Sequence, residues 1–140
     1  MRRTRFDWGK RTLLMGIVNV SPDSFAGDGI CSPGVALAQA LRMIEEGADI
    51  IDVGGESTRP GSAPIPLEEE LSRVVPALRA IRRETDLPLS VDTYKYEVAR
   101  AALDEGADII NDIWGLKQEP RLADLAAGCG AGMVLMSNQR

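Results

Sequence analysis

Five short apolar runs punctuate the chain, and between them apolar residues recur at helical spacing. The runs are LLMGIVNV (13–20), DIIDVG (49–54), LPLSVD (87–92), ADIINDI (107–113) and AGMVLM (131–136). Runs that are hydrophobic on both faces predict strands covered on both sides, as in a parallel sheet. Ser32 followed by Pro33 is a cap with a first-turn proline. It predicts a helix to about Glu46 with an apolar face of Val35, Leu37, Ala38, Leu41 and Ile44, closed by Gly47. From Pro66 onward Leu67, Leu71, Val74, Val75, Leu78 and Ile81 mark a second helix. Its Glu68, Glu69 and Glu70 stand at the positive end of the dipole, Arg82 and Arg83 at the negative end, and Pro76 is expected to kink it. A third helix is predicted from about Lys95 to Glu105, with Val98, Ala102 and Leu103 inward, and a fourth from about Pro120 to Gly128. Strands alternating with helices at this pace predict right-handed βαβ units.

An internal echo narrows the choice of sheet. EEGADIIDVGG (45–55) returns as DEGADIINDIWG (104–115), 59 residues and two βα units later. A (β/α)₈ barrel fills its interior in layers drawn from alternate strands, so similar second and fourth strands suit it. Chance likeness between two buried strands that follow helix ends is the plain alternative. A Rossmann sheet is disfavoured, because no G-x-G-x-x-G follows the first strand and no P-loop occurs. The expected fold is therefore α/β, a partial (β/α)₈ TIM barrel of about five parallel strands with four helices. Residues 13–140 are expected to be the N-terminal part of such a domain, and residues 1–12 a flexible basic arm.

Composition removes several classes of function. Of 140 residues 44% are hydrophobic and 26% charged, which is ordinary for a folded domain and a poor match to disorder or membrane spans. The net charge is −5, and the first eleven residues carry five basic groups and one acidic, so the body is more acidic still. Such a body argues against a nucleic-acid partner. The basic start before TLLMGIVNV only loosely imitates a signal peptide, since Asp7, Lys10 and Arg11 interrupt it and no cleavage site follows. Cys31 and Cys129 lie far apart, which suggests reduced thiols and a cytoplasmic location. Without histidine the chain cannot host a Ser-His-Asp triad or a histidine-rich zinc site.

Candidate chemistry gathers where the strands end. The first strand delivers Asn19, with Asp23 and Asp28 in its loop; the second leads into GGESTRPG, with Thr58 and Arg59; the third ends in Asp92, the fourth in Asn111 and Asp112. Gly54 and Gly55 let backbone come close to a ligand, and Pro60 with Gly61 stiffens and turns the loop. Each residue has a structural alternative: Asn19 satisfying loop amides, Asp92 capping the next helix, Asp112 pairing with an arginine, the loop charges being solvated. Four successive strands ending in polar groups are harder to explain that way. Asp92 beside Asn111 offers the acceptors and donor that an aminopyrimidinone ring needs, as in a pterin or guanine. Thr58 and Arg59 suit an anion. One arginine in an acidic mouth cannot neutralise a pyrophosphate, which points to Mg²⁺, with Asn19 as an oxygen ligand.

These residues resemble the dihydropteroate synthase family. MGIVNVSPDSFAGDG (15–29) is similar to its first signature, GADIIDVGGESTRPGS (47–62) to its second almost letter for letter, and SVDTYKYEV (90–98) and GADIINDIWG (106–115) to its next two strand ends. The resemblance implies a TIM-barrel transferase of folate biosynthesis. That enzyme joins 6-hydroxymethyl-7,8-dihydropterin pyrophosphate to p-aminobenzoate, and sulfonamides compete for the aminobenzoate site. It implies that Asn19 binds Mg²⁺ with the pyrophosphate, that Thr58 and Arg59 line the anion and aminobenzoate region, that Asp92 and Asn111 hold the pterin, and that Phe25 and Pro60 enclose the aminobenzoate ring. Arg59 and Asp28 are the catalytic candidates. The family's first-loop aspartate usually follows S-F-S directly; here Ala26 and Gly27 precede Asp28. Where the family usually reads M-H, this chain has Met136 and Ser137.

The family's second pterin aspartate, its lysine and its Arg-x-His element belong to strands six to eight, outside these 140 residues. The isolated chain is therefore expected to turn over little or nothing, to leave apolar surface uncovered and to self-associate. A homodimer is expected of the full-length protein. The alternative is a pterin-binding barrel of another kind, such as the methyltetrahydrofolate module of a methyltransferase; STRPG favours the synthase. A third reading is a non-catalytic fragment that persists by pairing with another half-barrel.

Overall fold

The computed structural model describes residues 6–21, 32–57 and 61–137. Strands and helices alternate throughout: β1 (Met15–Asn19), α1 (Pro33–Glu45), β2 (Ile50–Gly54), α2 (Leu67–Glu84), β3 (Leu89–Asp92), α3 (Tyr96–Asp104), β4 (Ile109–Asp112), α4 (Arg121–Cys129) and β5 (Gly132–Leu135). All five strands are parallel and lie in the order in which the chain makes them, β1-β2-β3-β4-β5. A doubly wound sheet reverses its order at a switch point; this one does not. The helices form a single layer, α1 against α2, α2 against α3 and α3 against α4. Strands in sequence with helices on one side only are the wall of a barrel.

Period-2 alternation divides each strand between two environments. Val18, Ile51, Val53, Leu89, Val91 and Ile110 face the helices and form the core with Val74, Leu78, Ile81, Val98 and Leu122. The opposite, concave face carries Ile17, Asp52, Ser90 and Ile109 in one row. Its flanks are open: Ile17 is 55% exposed and Val134 43% exposed. Leu135 and Met136 at the β5 edge are also exposed. The uncovered apolar surface expected of a partial barrel is thus present at both edges.

Two sequence expectations about helices change. In α1 the buried residues are Ala36 and Ala40, with Leu37 and Ile44 partly buried, while Val35 and Leu41 are exposed. As the first helix of the layer it has a neighbour on one flank only, and small alanines let it lie close to the sheet. In α2 the helix continues unbroken through Pro76, yet the buried set includes Glu70 beside Val74, Ala77, Leu78 and Ile81. Glu70 is therefore not a solvated dipole partner like Glu68 and Glu69.

Three carboxylates tie strand entrances together. Asp49 accepts the Leu14 amide (2.8 Å) and a two-pronged bond from Arg11 (2.5 and 3.1 Å), which attaches the end of the basic arm to the start of β2. Asp108, its counterpart in the echo, accepts the Leu89 amide (3.0 Å) and Arg82 (3.2 Å). Arg82 also donates to the carbonyls of Gly106, Thr85 and Leu87. Glu105 pairs with Arg79 beside them. The repeated G-A-D thus has a structural role: each aspartate holds a backbone amide at the entrance of the neighbouring strand. No helix among the described residues is long and apolar enough to cross a membrane.

Candidate functional site

Parallel register places the strand ends in one row. Asn19 pairs with Gly54, Gly54 with Asp92, and Asp92 with Asn111. Paired residues in a parallel sheet point to the same face, so Asn19, Asp92 and Asn111 share the concave face at the C-terminal rim. Gly54 supplies the gap: a Cβ there would lie 3.2 Å from Asp92 Cβ and 3.4 Å from its Oδ2. What Gly54 admits is thus the Asp92 side chain, while a Cβ on Gly55 would meet Val74 at 3.0 Å. Thr58, Arg59, Pro60, Phe25 and Asp28 lie outside the described residues.

The row beneath holds a residue that the strand-end search passed over. Asp52, 1% exposed, sits inside β2 with both carboxylate oxygens 3.4 Å from Asn111 Nδ2. Burial raises its pKa, while the nearby Ser90 and Asn111 side chains work in the other direction. Ser90 Oγ is buried and makes no hydrogen bond of good geometry, so it eases the charge only by proximity. The sequence did carry a signal. A carboxylate between Ile51 and Val53 is costly unless it has partners, and the 59-residue echo aligns Asp52 with Asn111, the residue it faces.

Asp92 is the most perturbed carboxyl group of the rim. Burial, followed by the charges of Asp52, Glu70, Glu56 and Asp112, pushes its pKa up to about 7. It does not cap the following helix: α3 begins after Lys95 without a side-chain cap. Asp112, by contrast, is structural. It is fully buried, and its oxygens accept the amides of Trp114 (2.9 Å) and Leu116 (2.7 Å), holding a turn in which Leu116 has φ 71°. Among the described residues it pairs with no arginine, and its charge is one of those that raise the Asp92 pKa.

Beside the rim lies a buried ionic cluster at the stem of the second loop. Lys95 Nζ donates to Glu70 (2.7 Å), to the Ile65 carbonyl (2.8 Å) and to Glu56 (3.3 Å). Glu56 also accepts the Ile65 amide (2.9 Å), and Glu70 accepts the Thr93 hydroxyl (2.6 Å). Burial opposes the charge on Lys95, but Glu70 and Glu56 outweigh it and its pKa is raised. Burial, then a hydrogen bond to Glu56, holds the Tyr94 phenol above its ordinary range. Arg73 donates to the Gly55 carbonyl (2.9 Å). The loop charges at Glu56 are therefore partnered, not solvated.

Among the described residues no three His, Cys, Asp or Glu side chains converge as metal ligands. A cavity of about 810 Å³ lies at the opposite ends of the strands, lined by Phe6, Trp8, Met15, Ile50, Ile109 and Met133. It includes none of the rim residues. The candidate site residues that the structure describes, Asn19, Asp92 and Asn111, lie at the C-terminal rim, away from this cavity.

Parallel strands in barrel order, a single helix layer and a polar C-terminal rim define an α/β-barrel protein, the class whose sites lie at that end of the sheet. The chain belongs to the pterin-binding enzyme family, whose pattern matches residues 15–140. It is 50% identical over 135 residues to the dihydropteroate synthase of Synechocystis sp., covering 96% of this chain and 47% of that protein. It is 51% identical over 131 residues to that of Bacillus subtilis, covering 93% and 46%. A crystal structure of dihydropteroate synthase from Clostridium difficile in the presence of pteroic acid superposes with a TM-score of 0.91 at 46% identity, covering 96% of this chain and 52% of that one. The Xanthomonas albilineans enzyme with 4-aminobenzoic acid gives 0.86 at 49% identity, covering 93% and 48%. The chain spans about half the length of these relatives.

Proposed function

We propose that this chain supplies the N-terminal half of a dihydropteroate synthase active site, and that the complete site condenses 6-hydroxymethyl-7,8-dihydropterin pyrophosphate with p-aminobenzoate. The observation that carries the reading is the register row that sets Asn19, Asp92 and Asn111 side by side on one face. Its roughly 50% identity to proteins of that name supports the particular reaction. In the reaction the bond from the pterin methylene to the pyrophosphate oxygen breaks, its electron pair leaving with pyrophosphate. The aminobenzoate nitrogen forms the new C–N bond and gives up a proton to solvent.

Asp92 in its charged form accepts the N–H donors of the pterin's aminopyrimidinone edge, and Asn111 supplies the complementary carboxamide. Asp52 holds Asn111 from below. Thr58 and Arg59 bind the anionic groups, Phe25 and Pro60 enclose the aminobenzoate ring, and Asp28 steadies positive charge on the methylene. Asn19 offers a single carboxamide oxygen at an exposed strand end. That suits Mg²⁺, which keeps several waters and takes its remaining oxygens from phosphate. When bound, the ion offsets charge on the departing pyrophosphate. We further infer a cytoplasmic protein that is homodimeric at full length.

Titration calorimetry with 6-hydroxymethylpterin tests the reading. Binding that is lost in Asp92→Ala and Asn111→Ala supports it. Binding of methyltetrahydrofolate with no response to p-aminobenzoate would favour a methyltransferase module instead. Condensation measured with these 140 residues alone is expected to be negligible, because they span only about half the length of the relatives they match.

A further inference from the structure

We propose that Asp52 is a positioning residue that fixes which end of the Asn111 carboxamide faces the ligand, and so makes the rim choose between heterocycles by the sense of their hydrogen bonds. This rests on the reading above, in which Asn111 meets the aminopyrimidinone edge of a pterin.

A carboxamide has two ends of nearly one shape, an amino group that donates and an oxygen that accepts. Free to turn over, Asn111 would serve a ligand's donor or its acceptor alike. Asp52 removes that freedom. Both of its oxygens lie 3.4 Å from Asn111 Nδ2. A carboxylate only accepts, so the reverse placement would set the Asn111 carbonyl oxygen against two oxygens that carry lone pairs. Burial works against the Asp52 charge, and the Asn111 amide is one of the two side chains that favour it. Charge and amide orientation therefore support each other, and the carbonyl oxygen is turned toward the rim.

Asp52 and Asn111 are not on neighbouring strands. β3 runs between β2 and β4, and strands two apart lie about 10 Å from each other. Ser90 pairs with Asp52, and Asp92, the next residue of β3 on that face, pairs with Asn111. The bond thus crosses β3 on the diagonal, between those two side chains. Both leave it room: Ser90 is small and fully buried, and Asp92 lies against Gly54, where no Cβ stands in its way. Small residues at positions 54 and 90 let a carboxylate from β2 reach an amide on β4.

The test compares 6-hydroxymethylpterin with 6-hydroxymethyllumazine by titration calorimetry at one pH. The lumazine carries a carbonyl in place of the 2-amino group and an N–H in place of the bare ring nitrogen beside it, so it inverts the sense of that edge. Wild type is expected to prefer the pterin. In Asp52→Asn the new carboxamide can face either end of Asn111, and the preference is expected to shrink about tenfold. An effect through charge alone has the opposite sign. Without the Asp52 charge Asp92 ionises more readily, and an ionised Asp92 favours the pterin's donors, so the preference would grow. A preference that is absent from the wild type, or that grows or stays the same in the variant, overturns the proposal. A second measurement needs no variant. In the wild type the Asn111 amide hydrogens are expected to show nuclear Overhauser contacts to the Cβ hydrogens of Asp52 and Ser90, and their absence overturns the proposal. If the wild-type chain binds neither heterocycle, the functional reading fails, and these contacts still decide how Asn111 is held.

Discussion

The two ends of the sheet treat their carboxylates in opposite ways. At the strand entrances the aspartates each have a cation and a backbone amide: Asp49 has Arg11 and Leu14, Asp108 has Arg82 and Leu89. At the exits Asp52 and Asp92 have neither an arginine nor a lysine among the described residues, and both have raised pKa values. Electrostatics at the entrances hold the wall together; at the exits they work against the fold. Groups kept at a cost to stability are the ones to which the proposed pterin would bring donors.

The largest effect expected from this contrast is at the entrance. Arg82→Met strands Asp108 and leaves the carbonyls of Thr85, Leu87 and Gly106 without that donor, and removing one partner of a buried pair costs about 3–5 kcal/mol. Urea unfolding followed by circular dichroism should show the midpoint falling accordingly.

Asp92→Asn should do the reverse. A carboxyl whose folded pKa is raised to about 7 keeps its proton when the unfolded chain has lost it, so stability falls as pH rises from about 4 to 7. The full shift amounts to roughly 4 kcal/mol, and solvent at the half-buried rim reduces it to about 1–3. A neutral carboxamide at this position carries no such penalty, so the variant should gain stability above pH 7 and nothing below pH 4, while losing the pterin. If the pterin takes the ionised form, wild-type affinity should fall about tenfold per pH unit below 7, by calorimetry at several pH values. A flat profile would mean that Asp92 is not the acceptor.

A smaller shift separates the two rim acids. Asp52→Asn removes the leading charge acting on Asp92, whose pKa should move down, carrying the pH dependence of pterin binding with it. Carbon-detected NMR titration of the Asp92 carboxyl reads this directly.

Much of this wall was legible because apolar runs and turn residues are local signals. The five strands fell where uninterrupted aliphatic runs stood, and the rim residues Asn19, Asp92 and Asn111 ended those runs. Asp52 was harder to read because its role depends on what stands across the sheet, not on its neighbours in sequence. Glu70 was masked by Glu68 and Glu69, although its place between Leu67 and Val74 puts it on the inward stripe of α2. Lys95 marked the start of α3 in the sequence, and nothing local tells that its ammonium reaches back to the second loop. The inward stripe of α1 was misread because Val35 and Leu41 are larger than the alanines that carry the packing.

The smallest expected effect tests whether all entrance pairs are equivalent. Arg11 forks onto Asp49 as Arg82 reaches Asp108, but Arg11 is exposed and both members of its pair meet water. Its guanidinium holds the Asp49 carboxyl below the usual range, first through the hydrogen bond itself. That contribution is present at neutral pH and is lost as pH falls through the depressed pKa of Asp49. Arg11→Ala should therefore lower the melting temperature only slightly at low salt, and the difference should vanish at molar salt, where exposed charges are screened. The Leu14 amide still has Asp49, so the register of β1 should survive, seen as unchanged exchange at the Leu14 amide. A loss as large as that from Arg82→Met would mean that the basic arm is part of the wall and not merely attached to it.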